Sequence, residues 1–153
     1  MADVLIDCTV GGASVGFMNP LSADEARAFW RDQATMLEDG GRMLFVARLG
    51  DRIVGTAQVV PANMPNQPHR ADISKMLVHR AARRQGLGGK LMTAAEDYAR
   101  SIDRTVLVLD TASDDAERLY QRHGWTLVGV VPDFALWPDG GLTSTRFYYK
   151  RLT

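Results

Sequence analysis

The stretch Met76–Met92, Met-Leu-Val-His-Arg-Ala-Ala-Arg-Arg-Gln-Gly-Leu-Gly-Gly-Lys-Leu-Met, runs from a strand through a basic turn into an amphipathic helix. Gly86, Gly88 and Gly89 carry no Cβ, so the backbone there can approach a ligand closely and take up φ values strained for other residues. The helix that begins in this turn aims its unpaired N–H groups, and the positive end of its dipole, at whatever sits there. Arg83 and Arg84 stand just before it, Gln85 and Leu87 fill the turn, and Lys90 lies one turn in. Together they make a phosphate site of backbone and dipole with cations at the rim. The plainer alternative is an ordinary glycine-rich strand-to-helix turn.

Two familiar phosphate loops do not fit. A Walker A loop needs glycine at position 84 and serine or threonine at 91, where this chain has Arg84 and Leu91. A dinucleotide fingerprint starting at Gly86 needs glycine at 91, and Leu91 again refuses it. The pattern that does fit is Arg-x-x-Gly-x-Gly over Arg83–Gly88, after a strand ending Val78-His79.

Length and charge narrow what such a site can serve. At 153 residues the chain is one domain with room for a real core. Lys+Arg and Asp+Glu number 18 each, so no global basic field exists to hold nucleic acid or an anionic membrane. The local cluster Arg80, Arg83, Arg84 therefore reads as a site for a small polyanion. The single cysteine, Cys8, excludes an intrachain disulfide and argues against a cysteine-rich zinc site. No charged start followed by a long apolar run, and no span-length apolar stretch, is present, which implies a cytoplasmic protein without a membrane partner.

Along the chain, helices and strands alternate. Met1–Val10 fits two patterns: Val4, Ile6, Cys8 and Val10 alternate as in a strand, while Val4, Leu5 and Cys8 can line a helix face. Ser22-Ala-Asp-Glu25 is a capping box for a helix carrying Ala26, Phe29, Trp30, Gln33 and Leu37, which Gly40-Gly41 stops. Arg42–Val60 reads as a β-hairpin turning at Gly50-Asp51, and Pro61–His69 as a loop. Ala71–Val78 feeds the glycine turn; Leu87, Leu91, Ala94, Ala95 and Tyr98 share one face of the helix after it. Thr105–Leu109 is a continuous apolar run, as in a central strand. Ser113 starts a further helix that ends at Gly124, and Trp125–Val131 is a strand. Pro132–Gly141 reads as a loop with Phe134, Leu136 and Trp137, and Thr143–Lys150 as a last strand. The alternation predicts an α/β domain with a mixed sheet and helices on its faces.

A second block lies downstream of the turn. Leu109-Asp110-Thr111 leads to Ala116-Glu-Arg-Leu-Tyr120-Gln-Arg-His-Gly124-Trp125. The Arg83–Gly88 turn resembles the acetyl-CoA signature of the GNAT N-acetyltransferases, and the Ala-x-x-Leu-Tyr-x-x-x-Gly-aromatic spacing resembles their second block. The resemblance covers about Arg42–Lys150. It implies the GNAT fold: one twisted, largely antiparallel mixed sheet with helices on both faces and a splayed central strand pair, with CoA in the opening. Gly12–Phe17, Pro20–Ser22, Phe29-Trp30, Leu109–Thr111, Pro132–Leu136 and Pro138–Gly140 look like the tabtoxin-resistance-type branch. In that branch a first strand and most of a helix precede the Gly-Ala-Ser segment. Only about ten residues do so here, so the resemblance matches Met1–Val10 to the end of that helix and leaves the first strand missing.

The chemistry the family performs sets three needs. The attacking amine must be neutral, the thioester oxygen needs donors as charge develops, and the leaving thiolate needs a proton. Alkyl amines have pKa values of about 10, so a carboxylate helps remove the proton. Asp72 matches the branch's acidic residue for that role; otherwise it is a solvated residue at the start of an edge strand. Backbone N–H groups near Met76, Leu77 and Val78 can polarise the thioester carbonyl. Tyr120 occupies the Leu-Tyr position that the family uses as general acid, against the alternative of a core tyrosine beside Ala116 and Leu119. Asp110, at the end of a buried strand, is either a cap for the next turn or an anchor for the substrate amine. His69, His79 and His123 have no metal-site spacing, and Cys8 is read as a buried small residue.

The leading expectation is an acetyl-CoA-dependent N-acetyltransferase acting on a small-molecule amine, as a monomer or homodimer, with no metal. Two others stand beside it: a non-catalytic acyl-CoA-binding or sensing domain, which need keep none of Tyr120, Asp72 and Asp110, and a protein N-acetyltransferase, which would need an open groove where Phe134–Trp137 suggests a lid.

Overall fold

The structure, a computed structural model, describes residues 1–152. Its elements follow the order α1 (Ala2–Val10), α2 (Ala23–Glu38), β1 (Met43–Leu49), β2 (Arg52–Pro61), β3 (Arg70–Val78), a 3₁₀ turn (Arg80–Ala82), α3 (Leu87–Ser101), β4 (Val106–Thr111), α4 (Asp114–Arg122), β5 (Thr126–Leu136) and β6 (Leu142–Arg151). One six-stranded sheet runs β1-β2-β3-β4-β6-β5. Every neighbouring pair is antiparallel except β3 and β4, whose parallel pairing requires the crossover that α3 supplies.

Strand alternation sends side chains to two cores. On one face Val59, Ala71, Ile73, Leu107 and Leu109 pack with Met92, Ala95 and Ala99 of α3 and Tyr120 of α4. On the other, Leu77 meets Val4, Leu5 and Cys8 of α1 and Ala26 and Trp30 of α2. That contact decides the ambiguous N-terminal stretch: Val4, Leu5 and Cys8 fall on one helical face, and burying them on the sheet favours a helix. The capping box of α2 is formed, with Ser22 Oγ accepting from Glu25 N at 3.2 Å and Glu25 Oε2 accepting from Ser22 N at 2.9 Å.

α3 is fixed to the far strands by a buried carboxylate. Glu96, 5 % exposed, accepts from Trp125 Nε1 at 3.0 Å and from Lys150 Nζ at 2.7 Å. A buried charge is tolerable when paired and hydrogen-bonded in this way.

The segment Pro132–Leu136 corrects the expected loop. β5 continues through it, and β6 begins at Leu142. β5 is an edge strand, so Pro132 can forgo a ladder donor on the outer side. The register slips between Val131 and Ala135, and Asp133 has φ 51°, so the strand bulges here instead of ending. Phe134 packs edge-on against Phe147, ring centroids 5.7 Å apart. Phe134–Leu136 is thus part of the sheet, and Trp137 begins the turn to β6. Among the described residues no helix is long and apolar enough to cross a membrane.

Candidate active site

β3 and β4 pair only from Arg70–Asp72 against Val106–Val108. Beyond that point β4 stays with β6 as far as Thr111, while β3 stays with β2. The two central strands therefore part, and the backbone edge of β3 that faced β4 has no strand partner from Ile73 on. A cleft of about 750 Å³ opens there. Met76, Leu77 and Val78 form one wall, and Asp110 and Thr111 the other.

The glycine turn closes one end. Gly86 is the N-cap of α3 with φ 73°, and a Cβ built there would stand in open space. The first helical bond of α3 runs from Lys90 N to Gly86 O, so the N–H groups of Leu87, Gly88 and Gly89 lack intrahelical partners at the cleft. Gly88 has a further reason to be glycine: a Cβ would meet Leu119 Cδ2 at 3.2 Å. At Gly89 it would meet His123 Nε2 at 3.3 Å. Both lie where α3 passes close to α4, a constraint that short-range pattern does not contain.

Arg83 and Arg84 line the cleft, and Arg83 Nε donates to Val78 O at 3.1 Å. Arg118 and Arg122, one turn apart on α4, add two cations that the sequence reading missed; their i, i+4 spacing beside Tyr120 was the available signal. Gln85 and Lys90 are not brought into this cleft. Lys90 instead borders a shallow hollow with Thr93 and His123.

Tyr120 and Asp110 do come together in the cleft. Tyr120 is 4 % exposed, its ring held against Trp125 and Tyr148 at centroid distances of 6.1 and 5.8 Å. Burial, reinforced by the nearby Asp110 and Tyr148, pushes its pKa well above the ordinary phenol value, so it keeps its proton. Among the described residues its hydroxyl has no hydrogen-bond partner. Asp110 takes one hydrogen bond on Oδ2, from Thr145 Oγ1 at 2.7 Å.

Asp72 is placed differently from the expectation. It sits at the last paired position of β3, opposite Val108, on an interior strand and not an edge strand. Arg70 Nη1 engages both of its oxygens, at 2.7 and 2.8 Å, and it does not line the cleft. Its face and its distance from the strand separation are tertiary facts that the Arg70–Val78 sequence does not carry.

Lys75 is a further charged residue of the cleft that sequence reading passed over. It occupies a β-bulge, where Lys75 and Met76 oppose Ala57, and has φ 49°. A lysine directly before the apolar run Met76-Leu77-Val78 was the signal. Cys8 also lines the cleft; its thiol lies 3.6 Å from Val78 O, and burial raises its pKa, which keeps it protonated and poorly nucleophilic.

The family model for the acetyltransferase (GNAT) family matches residues 14–125, most of the chain. The protein is a GNAT acetyltransferase. Consistent with this, it is 30 % identical over 156 residues to an uncharacterised N-acetyltransferase from the hisH–hisA intergenic region of Azospirillum brasilense, covering 91 % of this chain and 87 % of that one. An N-acetyltransferase structure from Staphylococcus aureus superposes with TM-score 0.82 at 18 % identity, covering 98 % of this chain and 89 % of that one. The yncA structure from Salmonella typhimurium, solved with its cofactor acetyl-CoA, gives TM-score 0.78 at 20 % identity, covering 99 % and 86 %. At these identities the structural likenesses speak for the GNAT fold alone.

Proposed function

We propose that this GNAT acetyltransferase moves the acetyl group of acetyl-CoA directly onto the primary amine of a small molecule. The observation that carries the reading is the pairing, in one cleft, of a buried protonated Tyr120 with the open side of Asp110. A sensing domain has no use for either group.

The residues present fit acetyl-CoA. Unpaired N–H groups of Leu87, Gly88 and Gly89, with Arg83, Arg84, Arg118 and Arg122, suit a pyrophosphate, and Gly86 leaves open space where a side chain would intrude. The unpartnered edge of β3 along Met76–Val78 can take the pantetheine amides as a further strand would, and its N–H groups can polarise the thioester carbonyl. The cosubstrate supplies an activated acetyl group. Asp110 faces the amine, holds it and takes its proton, while Tyr120 donates a proton to the departing thiolate. Asp110 replaces Asp72 in the base role, because both oxygens of Asp72 are occupied by Arg70.

A small acceptor suits the enclosure of the far end. The loop between α1 and α2 supplies Val15 and Gly16 to the cleft. It is tied to the β5–β6 hairpin by Ser14 Oγ to Leu136 O (3.1 Å), Asn19 N to Pro138 O (2.8 Å) and Asn19 Nδ2 to Asp139 Oδ1 (2.8 Å). A protein acceptor would require an open groove there. The resemblance to the tabtoxin-resistance-type branch belongs to this proposal as well.

Incubation with acetyl-CoA and a mixed library of small primary amines and peptide N-termini, read by mass spectrometry, tests the reading. N-acetylated small amines are expected. Acetylation of peptides alone would favour the protein-directed alternative, and binding of acetyl-CoA without any product would favour the sensing domain.

A further inference from the structure

The acceptor end of the cleft contains a cation that acetyl transfer itself does not require. Lys75 lines it together with Val15, Asp110 and Thr145. Its place is well specified: the bulge opposite Ala57 turns it out of the regular ladder, and Thr56 Oγ1 donates to its carbonyl at 2.8 Å. A left-handed backbone (φ 49°) is unfavourable at a lysine, so the local geometry opposes this residue and the fold holds it there.

The ammonium is incompletely matched. One N–H donates to Val15 O at 3.1 Å, and the Phe29 ring centroid lies 5.5 Å away. An ammonium has three donors. Among the described residues no carboxylate lies within 4.0 Å of Lys75 Nζ. Burial lowers its pKa, Asp110 acts in the opposite sense, and Arg42 adds a second positive charge to the surroundings. A partly buried cation short of hydrogen-bond acceptors and counter-charge is costly in isolation, and an anionic group entering the cleft would relieve that cost.

We propose that the acceptor carries a carboxylate beside its amine, that Lys75 Nζ receives the carboxylate, and that Asp110 receives the amine. The acceptor class is then amino acids and amino-acid-like zwitterions, read by one positive and one negative side chain on opposite walls of the cleft. This rests on the reading of the cleft as an N-acetyltransferase site.

The test uses matched acceptors that differ by the carboxylate: histidine with histamine, lysine with cadaverine, and further amino acids with their decarboxylated amines. Initial rates of thiol release from acetyl-CoA are measured for wild type, Lys75→Gln and Lys75→Arg, with acetyl-CoA affinity by calorimetry as the check on folding. In wild type, kcat/KM should favour the amino acid of at least one pair by roughly 10–100-fold, the worth of a charge-assisted hydrogen bond. The preference should reside in KM. Lys75→Gln should collapse the ratio toward one, and Lys75→Arg should restore part of it. Turnover of amines with no preference for the carboxylate overturns this inference alone. So does a Lys75→Gln variant that loses kcat equally for both members of a pair, because Lys75 would then act on the reaction and not on recognition. Turnover of no acceptor at all, with acetyl-CoA bound, overturns the transferase reading and this inference with it.

Discussion

Thr145 donates a 2.7 Å hydrogen bond to Asp110 Oδ2 across the β4–β6 ladder, from a position only 3 % exposed. The contact fixes the carboxylate on one side and leaves its other side to the cleft. Thr145→Val keeps the shape and removes the donor, so acceptor KM should rise about tenfold, as expected for one hydrogen bond to a charged group, with acetyl-CoA affinity preserved. Asp110→Asn should lower kcat/KM further, with a loss that shrinks as pH approaches the amine pKa of about 10. Asp72→Asn, whose carboxylate partner is Arg70 outside the cleft, should change kcat by less than about tenfold. Steady-state rates across pH for the three variants check all of this, and a larger loss in Asp72→Asn would return the base role to that residue.

Gly88 and Leu119 make a second testable pair. A Cβ at position 88 would lie 3.2 Å from Leu119 Cδ2, so Gly88→Val should destabilise by about 1–3 kcal/mol through overpacking. Acetyl-CoA affinity should fall with it, because α3 carries the unpaired amides of the turn. Adding Leu119→Ala should recover part of the melting temperature. A double variant no more stable than Gly88→Val would show that Leu119 is not the obstacle.

Asp7 gives a pH-dependent prediction. Burial alone would raise its pKa, but the Arg80 N–H at 2.7 Å and the Arg80 guanidinium at 3.0 Å, with His79 beside them, bring it below the ordinary value. A carboxylate with a depressed folded pKa contributes stability that is present above its unfolded pKa, about 4. That stability is lost as pH falls through the folded value. Asp7→Asn should therefore be less stable than wild type at neutral pH, and its melting temperature should fall less than that of wild type below about pH 4. Thermal melts of both proteins across that range decide it. Parallel curves would mean that Asp7 has no depressed pKa.

What could be read from the sequence was what short-range chemistry determines. The Ser22–Glu25 capping box, the helix start at Gly86 and the helix that carries Tyr120 each depend on spacing within a few residues, and each is present. What escaped depends on neighbours distant in the chain. Pro132 lies in a strand because β5 is at an edge, which only the sheet order reveals. Lys75 enters the cleft because its bulge is set by the register with β2. Asp72 falls short of the cleft because β3 and β4 remain paired up to that residue. Met1–Val10 fitted two periodicities equally, and burial against Trp30 and Leu77 chose the helix.

Tyr120 is the proposed acid in an amine-dependent transfer, and the most direct measurement of that role is kcat for thiol release in Tyr120→Phe beside wild type, with acetyl-CoA affinity and melting temperature on the same samples. The substitution keeps the ring and its packing on Trp125 and Tyr148, and removes only the proton and its oxygen. The predicted result is a fall in kcat of about 10²–10⁴-fold, with acetyl-CoA affinity and melting temperature close to wild type. A fully active Tyr120→Phe, whether or not its melting temperature changes, would contradict it.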